Sequence, residues 1–186
     1  FYDDTHRLSD EEVADYMVLY GINNEVTKTI IYLYSDGHRA NGANYRECLS
    51  SAVTYYGELD GADGSVKDGK ISDDELKAGI KSSETFYHTK NRLKGEEVQD
   101  YTVGYLMDGE SISETTVYLY EGGIRASAAD NEKRMERSIT YRGDISGGDG
   151  VISEEDRLAA LKKSETLYQY KASAKRGEEI ADVTLN

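Results

Sequence analysis

Two segments, "EEVADYMVLY" and "VTKTIIYLY", are dense in β-branched and aromatic residues and flank the short polar stretch "GINNE". That arrangement predicts a β-hairpin. A second hairpin is predicted further along, where "MDGES" separates two similar runs. Between residues 44 and 56, Tyr45, Cys48, Leu49, Ala52, Val53 and Tyr56 fall at spacings of three and four, which predicts an amphipathic helix, with a counterpart over 131–142. Leu76, Ile80 and Phe86 in 73–90, and Leu158, Leu161 and Leu167 in 154–171, predict two further helices that follow polar, glycine-containing loops.

The pattern repeats. "RLSDEEVADYMVLY" at 7–20 recurs as "RLKGEEVQDYTVGY" at 92–105, "TIIYLYSDGHRA" as "TTVYLYEGGIRA", and "KSSETFY" as "KKSETLY", at offsets of 85, 86 and 81. The expected organisation is therefore a tandem duplication of an α+β unit, with copies at 7–91 and 92–175. A third copy opens at 176–186, where "RGEEIADVTL" echoes "KGEEVQDYTV". Its lone strand needs a sheet edge, either that of copy two or that of a neighbouring molecule.

Twelve of the 16 tyrosines fall in matched pairs: Tyr16 with Tyr101, Tyr20 with Tyr105, Tyr32 with Tyr118, Tyr34 with Tyr120, Tyr55 with Tyr141, and Tyr87 with Tyr168. Strand alternation sets Ile31 and Leu33 on one face and Tyr32 and Tyr34 on the other, and Val117, Leu119, Tyr118 and Tyr120 repeat this. The tyrosine face is either covered by the rest of the chain or serves as a self-association platform.

The loops carry the candidate chemistry. Copy one reads "DGSVKDGKISDDE" from Asp63 and copy two "DISGGDGVISEED" from Asp144. The shared D-x-S-x-x-D-G-x-I-S-x-x-[E/D] supplies hard oxygens at alternating positions, a turn glycine at Gly69 or Gly150, and a carboxylate from the following helix, as a calcium ion requires. The simpler alternative is a pair of capping boxes, Ser72-x-x-Glu75 and Ser153-x-x-Asp156. These loops resemble the EF-hand loop, and "GDISGGDGVISEEDRLAALK" also looks like a dockerin calcium repeat.

The resemblance implies a helix–loop–helix in each copy and two calcium ions. One ion would be held by Asp63, Ser65, Asp68, the Lys70 carbonyl, Ser72 and Glu75, with Asp60 as an outer oxygen. The other would be held by Asp144, Ser146, Asp149, the Val151 carbonyl, Ser153 and Asp156. Ile71 and Ile152 would take the position at which paired family loops form a short β-bridge. Three features depart from the family pattern. Each loop holds an extra residue between its second and third ligands, copy two closes on Asp156 where Glu is usual (Glu155 could substitute), and 81 residues separate the loops, far more than separate dockerin repeats.

The remaining features limit the alternatives. A formal charge of −14 repels phosphate backbones and argues against nucleic acid, while attracting cations. No apolar run is long enough for a membrane helix. The single Cys48 excludes an internal disulfide and reads as core, and His6, His38 and His88 are unmatched between copies, so no histidine metal site or acid–base pair is expected. No catalytic motif is recognisable, and the expectation is a non-enzyme. The start at Phe1 fits a mature secreted form or a trimmed one. The expected role is a calcium-binding structural repeat of a secreted or cell-surface assembly, with a cytoplasmic setting also open. It would self-associate into an oligomer or filament through the C-terminal strand and tyrosine face. The alternative is a calcium sensor that binds a partner on loading, although Met17, Met107 and Met135 are few for such a surface.

Overall fold

The computed structural model describes residues 2–3, 13–146, 151–169 and 178–186. The strands are β1 (Tyr2–Asp3), β2 (Val13–Ala14), β3 (Tyr16–Tyr20), β4 (Val26–Tyr34), β5 (Leu49–Tyr56), β6 (Lys81–His88), β7 (Val98–Tyr105), β8 (Ile112–Tyr120), β9 (Met135–Arg142), β10 (Lys162–Gln169) and β11 (Ile180–Leu185). Strands β3 to β11 form one sheet whose spatial order is their chain order, with antiparallel neighbours, and β1 pairs with β2 apart from it. The helices among the described residues are α1 (Asp73–Ala78), α2 (Glu154–Ala159) and a 3-10 turn at Ser35–Gly37.

This overturns the expected α+β unit of hairpin plus helix–loop–helix. Residues 44–56 and 131–142 are not helices: their second halves are β5 and β9. Each expected helix after a loop ends after six residues, and β6 or β10 takes over. Both loops therefore run from a strand into one short helical segment. In β5 Ser51, Val53 and Tyr55 are buried at a period of two, with the small Ala52 also buried between them, and the three-and-four spacing through Tyr45 and Cys48 crosses a turn.

The chain divides into two compact units, residues 1–84 with 93–95 and 105–111, and residues 85–92 with 96–104 and 112–186. These limits cut within β6 and β7, whereas the sequence copies meet between the two strands. Residues 7–12, which open copy one, and 170–177, where the third copy begins, lie outside the described residues.

In the first unit, Tyr16, Ile31, Val53, Tyr55, Leu59 and Ile71 form a core with Leu33 and Leu76 against it, and Val13, Tyr34, Ala40 and Ala43 form a second cluster. In the second unit the corresponding core is Val117, Leu119, Ile139, Tyr141, Ile145 and Ile152, and the corresponding cluster is Val98, Tyr120, Ala126 and Ala129. Polar details repeat as well. The buried Thr29 hydroxyl donates to the Gly57 carbonyl at 2.8 Å, and Thr115 does the same to Gly143 at 2.8 Å. Both glycines leave their strand with φ near +70°, a conformation that disfavours a Cβ.

Pairing register shifts between Leu33 and Tyr34 and between Leu119 and Tyr120. Each shift is a bulge that turns the following tyrosine inward. The Tyr34 hydroxyl donates to the Ala14 carbonyl at 2.6 Å, and the Tyr120 hydroxyl to Gln99 at 2.6 Å. Tyr34 and Tyr120 are buried, so of the tyrosine face read from alternation only Tyr32 and Tyr118 on these strands are left half-buried. Gly79, which follows α1, lies on the first core. A Cβ there would sit 2.3 Å from Leu59 Cδ2, while Ala160, at the matching position, packs against the second core.

Candidate functional site: two strand-to-helix loops

Loop one joins β5 to α1 and is organised around carboxylates. Asp60 accepts from the backbone N–H groups of Asp68 at 3.0 Å and Gly69 at 2.9 Å, closing the loop on itself. Asp63 accepts from Ser65 N and Asp68 from Lys70 N, each at 2.9 Å, in local turns. The Glu75 carboxylate is buried beneath them. Its Oε2 accepts from Ser72 N at 2.7 Å and Ser72 Oγ at 2.9 Å, and its Oε1 from Gly61 N and from Ser65 Oγ at 3.3 Å. These donors favour the charged form. The Ser72 backbone N–H leads, followed by those of Gly61 and the Ser72 hydroxyl, and together they lower the Glu75 pKa from its ordinary 4.5 to about 2.

Two further ties hold the loop to the sheet. The Tyr16 hydroxyl donates to the Gly69 carbonyl at 2.8 Å, and burial, with Asp60 and Asp15 adding to it, raises the Tyr16 pKa. Arg39 pairs with Asp15 through two nitrogens and donates to the Ile71 carbonyl. In the second unit Arg125 pairs with Asp100 at 2.8 Å and donates to the Ile152 carbonyl at 2.9 Å. Sequence reasoning missed this clasp, although all its members lie in matched blocks: "ADY" with "QDY", "HRA" with "IRA", and "KIS" with "VIS".

The expected ligands of loop one gather at one place. Asp63, Ser65, Asp68, Lys70, Ser72 and Glu75, with Val66 and Ile71, line an open concavity of about 440 Å³. With Lys70 contributing its carbonyl, as the resemblance implies, the donor set would be all oxygen, as calcium prefers. Among the described residues, however, no three His, Cys, Asp or Glu side chains stand within reach of a single ion. Asp63 and Asp68 each engage one oxygen in a local turn and keep the other, so the chemistry fits calcium while the carboxylates are spread.

Loop two is built differently. Asp144 Oδ1 accepts from Ser146 N and Ser146 Oγ, both at 2.8 Å. Asp156 Oδ2 accepts from Ser153 N at 2.8 Å and Ser153 Oγ at 2.6 Å, while Asp156 N donates back to Ser153 Oγ. The Ser153 hydroxyl and then its backbone N–H hold the Asp156 pKa below its ordinary value. Val151 is exposed, and Asp149 and Gly150 lie outside the described residues. Ile145 fills in the second core the place of Leu59 in the first, which sets Asp144 opposite Glu58 and Ser146 opposite Asp60. The five residues extra in copy one therefore lie between Leu59 and Ile71. The pairing of Asp63 with Asp144 rests on sequence pattern.

Both capping boxes are present, at Ser72–Glu75 and Ser153–Asp156. Elsewhere, Cys48 is buried, His38 is exposed, and burial lowers the His88 pKa; His6 lies outside the described residues. No helix of the described residues is long and apolar enough to cross a membrane. Comparison with family models, curated proteins and solved structures finds no match.

Proposed function

We propose that the chain is a structural repeat protein of a secreted or cell-surface assembly, in which loop one takes a calcium ion that stiffens the strand-to-helix connection. The observation that supports this reading is that the six residues expected as ligands in loop one all line one concavity, on a framework anchored by Glu75 and Arg39. Asp63, Ser65, Asp68, the Lys70 carbonyl, Ser72 and Glu75 hold the ion, and its charge draws the Asp63 and Asp68 carboxylates inward. The ion supplies electrostatic cross-linking of the loop and no reaction. Loop two takes a second ion through Asp144, Ser146, Asp149, the Val151 carbonyl, Ser153 and Asp156, more weakly because it closes on Asp156 where loop one closes on Glu75. A net charge of −14 favours cation uptake throughout.

The test is thermal unfolding in millimolar Ca²⁺, in Mg²⁺ and in chelator, with titration calorimetry for stoichiometry. Sites of the weak extracellular class, loaded about five- to tenfold above Kd, add about 1–1.5 kcal/mol per ion. The Asp63→Ala/Asp68→Ala variant should lose the greater part of the gain. Equal melting temperatures in calcium and chelator overturn the proposal.

A further inference from the structure

The face of the sheet opposite the second core carries hydroxyl groups from strand to strand. On β8 and β9 the core takes Val117, Leu119, Ile139 and Tyr141, which turns Thr116, Tyr118, Ser138 and Thr140 to the other side. Thr116 and Thr140 face each other with hydroxyls 2.9 Å apart. Register places Ser138 beside Tyr118 on one side and Thr166 of β10 on the other, and the Ser138 and Tyr168 hydroxyls lie 3.3 Å apart. The row continues in the other direction, where the Thr102 hydroxyl of β7 lies 3.0 Å from that of Tyr118 and 2.8 Å from that of Thr85 on β6. All these residues belong to the second unit. Ser138 is buried between its neighbours, while Thr102, Thr116, Tyr118 and Thr140 are half-buried and keep part of their surface open to solvent.

Strand pairing does not require these hydroxyls. The matched positions of copy one hold Met17 for Thr102, Ile30 for Thr116 and Ala52 for Ser138, and Ile30 pairs with Thr54 as Thr116 pairs with Thr140. Over the same strands the core-facing residues keep their character, with Ile31 and Val117, Leu33 and Leu119, and Tyr55 and Tyr141 in matching places. The two copies therefore share a core and differ on the outer face, which is largely apolar in the first and hydroxylated in the second. A hydroxyl donates once and accepts twice, so after bonding along the row these oxygens keep lone pairs for a ligand. Tyr118 and Tyr168 flank the small Ser138 and add apolar ring surface beside the polar row.

We propose that this face binds an extended, neutral polysaccharide chain lying across the strands. Hydroxyls recur at each strand, about 4.7–4.9 Å apart, a spacing close to the length of one sugar ring in an extended chain, so successive sugars meet successive hydroxyls. A pyranose ring presents hydroxyls at its edge and C–H groups on its face, which suits a threonine row with tyrosine rings beside it. Neighbouring strands rotate by about 20–25°, a twist that a single polymer chain follows and a flat crystalline surface does not. The charge of −14 repels acidic polymers and selects a neutral one. The inference goes beyond the proposed function by naming a partner for the assembly, and it needs no ion in loop one.

Native electrophoresis of the full chain in gels containing hydroxyethylcellulose, arabinoxylan or galactomannan provides the test, run in chelator so that an empty loop one leaves the outcome readable. At least one of these neutral polymers should slow the chain relative to a plain gel, and carboxymethylcellulose should not. Thr116→Val/Thr140→Val and, separately, Thr102→Val remove hydroxyls and place apolar side chains where copy one tolerates Ile30 and Met17, so the fold is kept. Each should weaken retention about fivefold or more, as lost hydrogen bonds predict. Thr54→Val, on the matching face of copy one, should leave retention unchanged. Free migration in every neutral gel, or retention that the hydroxyl variants leave intact, overturns the inference. So does an equal loss in Thr54→Val, stronger retention by carboxymethylcellulose, or tighter binding after the valine substitutions, the mark of an apolar partner.

Discussion

Replacing Arg39 by Met tests the clasp beneath loop one. The substitution keeps the apolar stem and removes the guanidinium, which pairs with Asp15 through two nitrogens and donates to the Ile71 carbonyl. Side-chain exposure is 16% for Arg39 and 21% for Asp15, so the pair lies between a surface bridge worth under about 1 kcal/mol and a buried one whose breakage costs about 3–5 kcal/mol. The charge-assisted bonds are worth about 1.5–3 kcal/mol, and a carbonyl left without its donor costs about 1 kcal/mol more. We therefore expect a loss of about 3 kcal/mol. Urea unfolding followed by tyrosine emission measures it, with separate transitions fitted for the two compact units. Adding Asp15→Leu removes the stranded carboxylate and should recover about 1 kcal/mol relative to the sum of the single losses. A loss under about 0.5 kcal/mol, or strict additivity, would refute the reasoning.

Other outcomes follow from the same geometry. Thr29→Val and Thr115→Val keep the side-chain shape but orphan the Gly57 or Gly143 carbonyl. Each should cost about 1–2 kcal/mol by denaturant titration, and a neutral result in both would show that the hydroxyls do not matter. Glu75 has a folded pKa of about 2 against an ordinary 4.5, so its contribution is full above pH 4.5 and fades as pH falls toward 2. The gap in melting temperature between the native chain and Glu75→Gln should accordingly narrow over that window, and a constant gap contradicts the assignment.

The sequence showed the duplication and the hairpins because their strands carry Val, Ile and Tyr in runs that helices disfavour, and β3–β4 and β7–β8 lie where those runs fall. It misled at β6 and β10. "KSSETFYH" and "KKSETLYQ" carry Ser, Thr, Glu and Lys in place of a plain apolar alternation, and no proline separates them from α1 or α2. Partner strands decide their form: Thr85 meets Thr102, Phe86 stacks on Tyr101 with centroids 4.5 Å apart, and Thr166 meets Thr184. Local propensity contains none of that information. In the candidate site, the acidic loop and both capping boxes were readable from spacing. The roles of Asp60 and Arg39 were not, because Asp60 binds backbone eight and nine residues away and Arg39 reaches across 24 and 32 residues.

The Arg39 clasp also couples motions. One guanidinium grips residues 15 and 71, so strand entry, turn and loop cannot loosen separately. Amide protons across these three distant stretches should trade with deuterium as a single cooperative block, slower than those of the exposed β11.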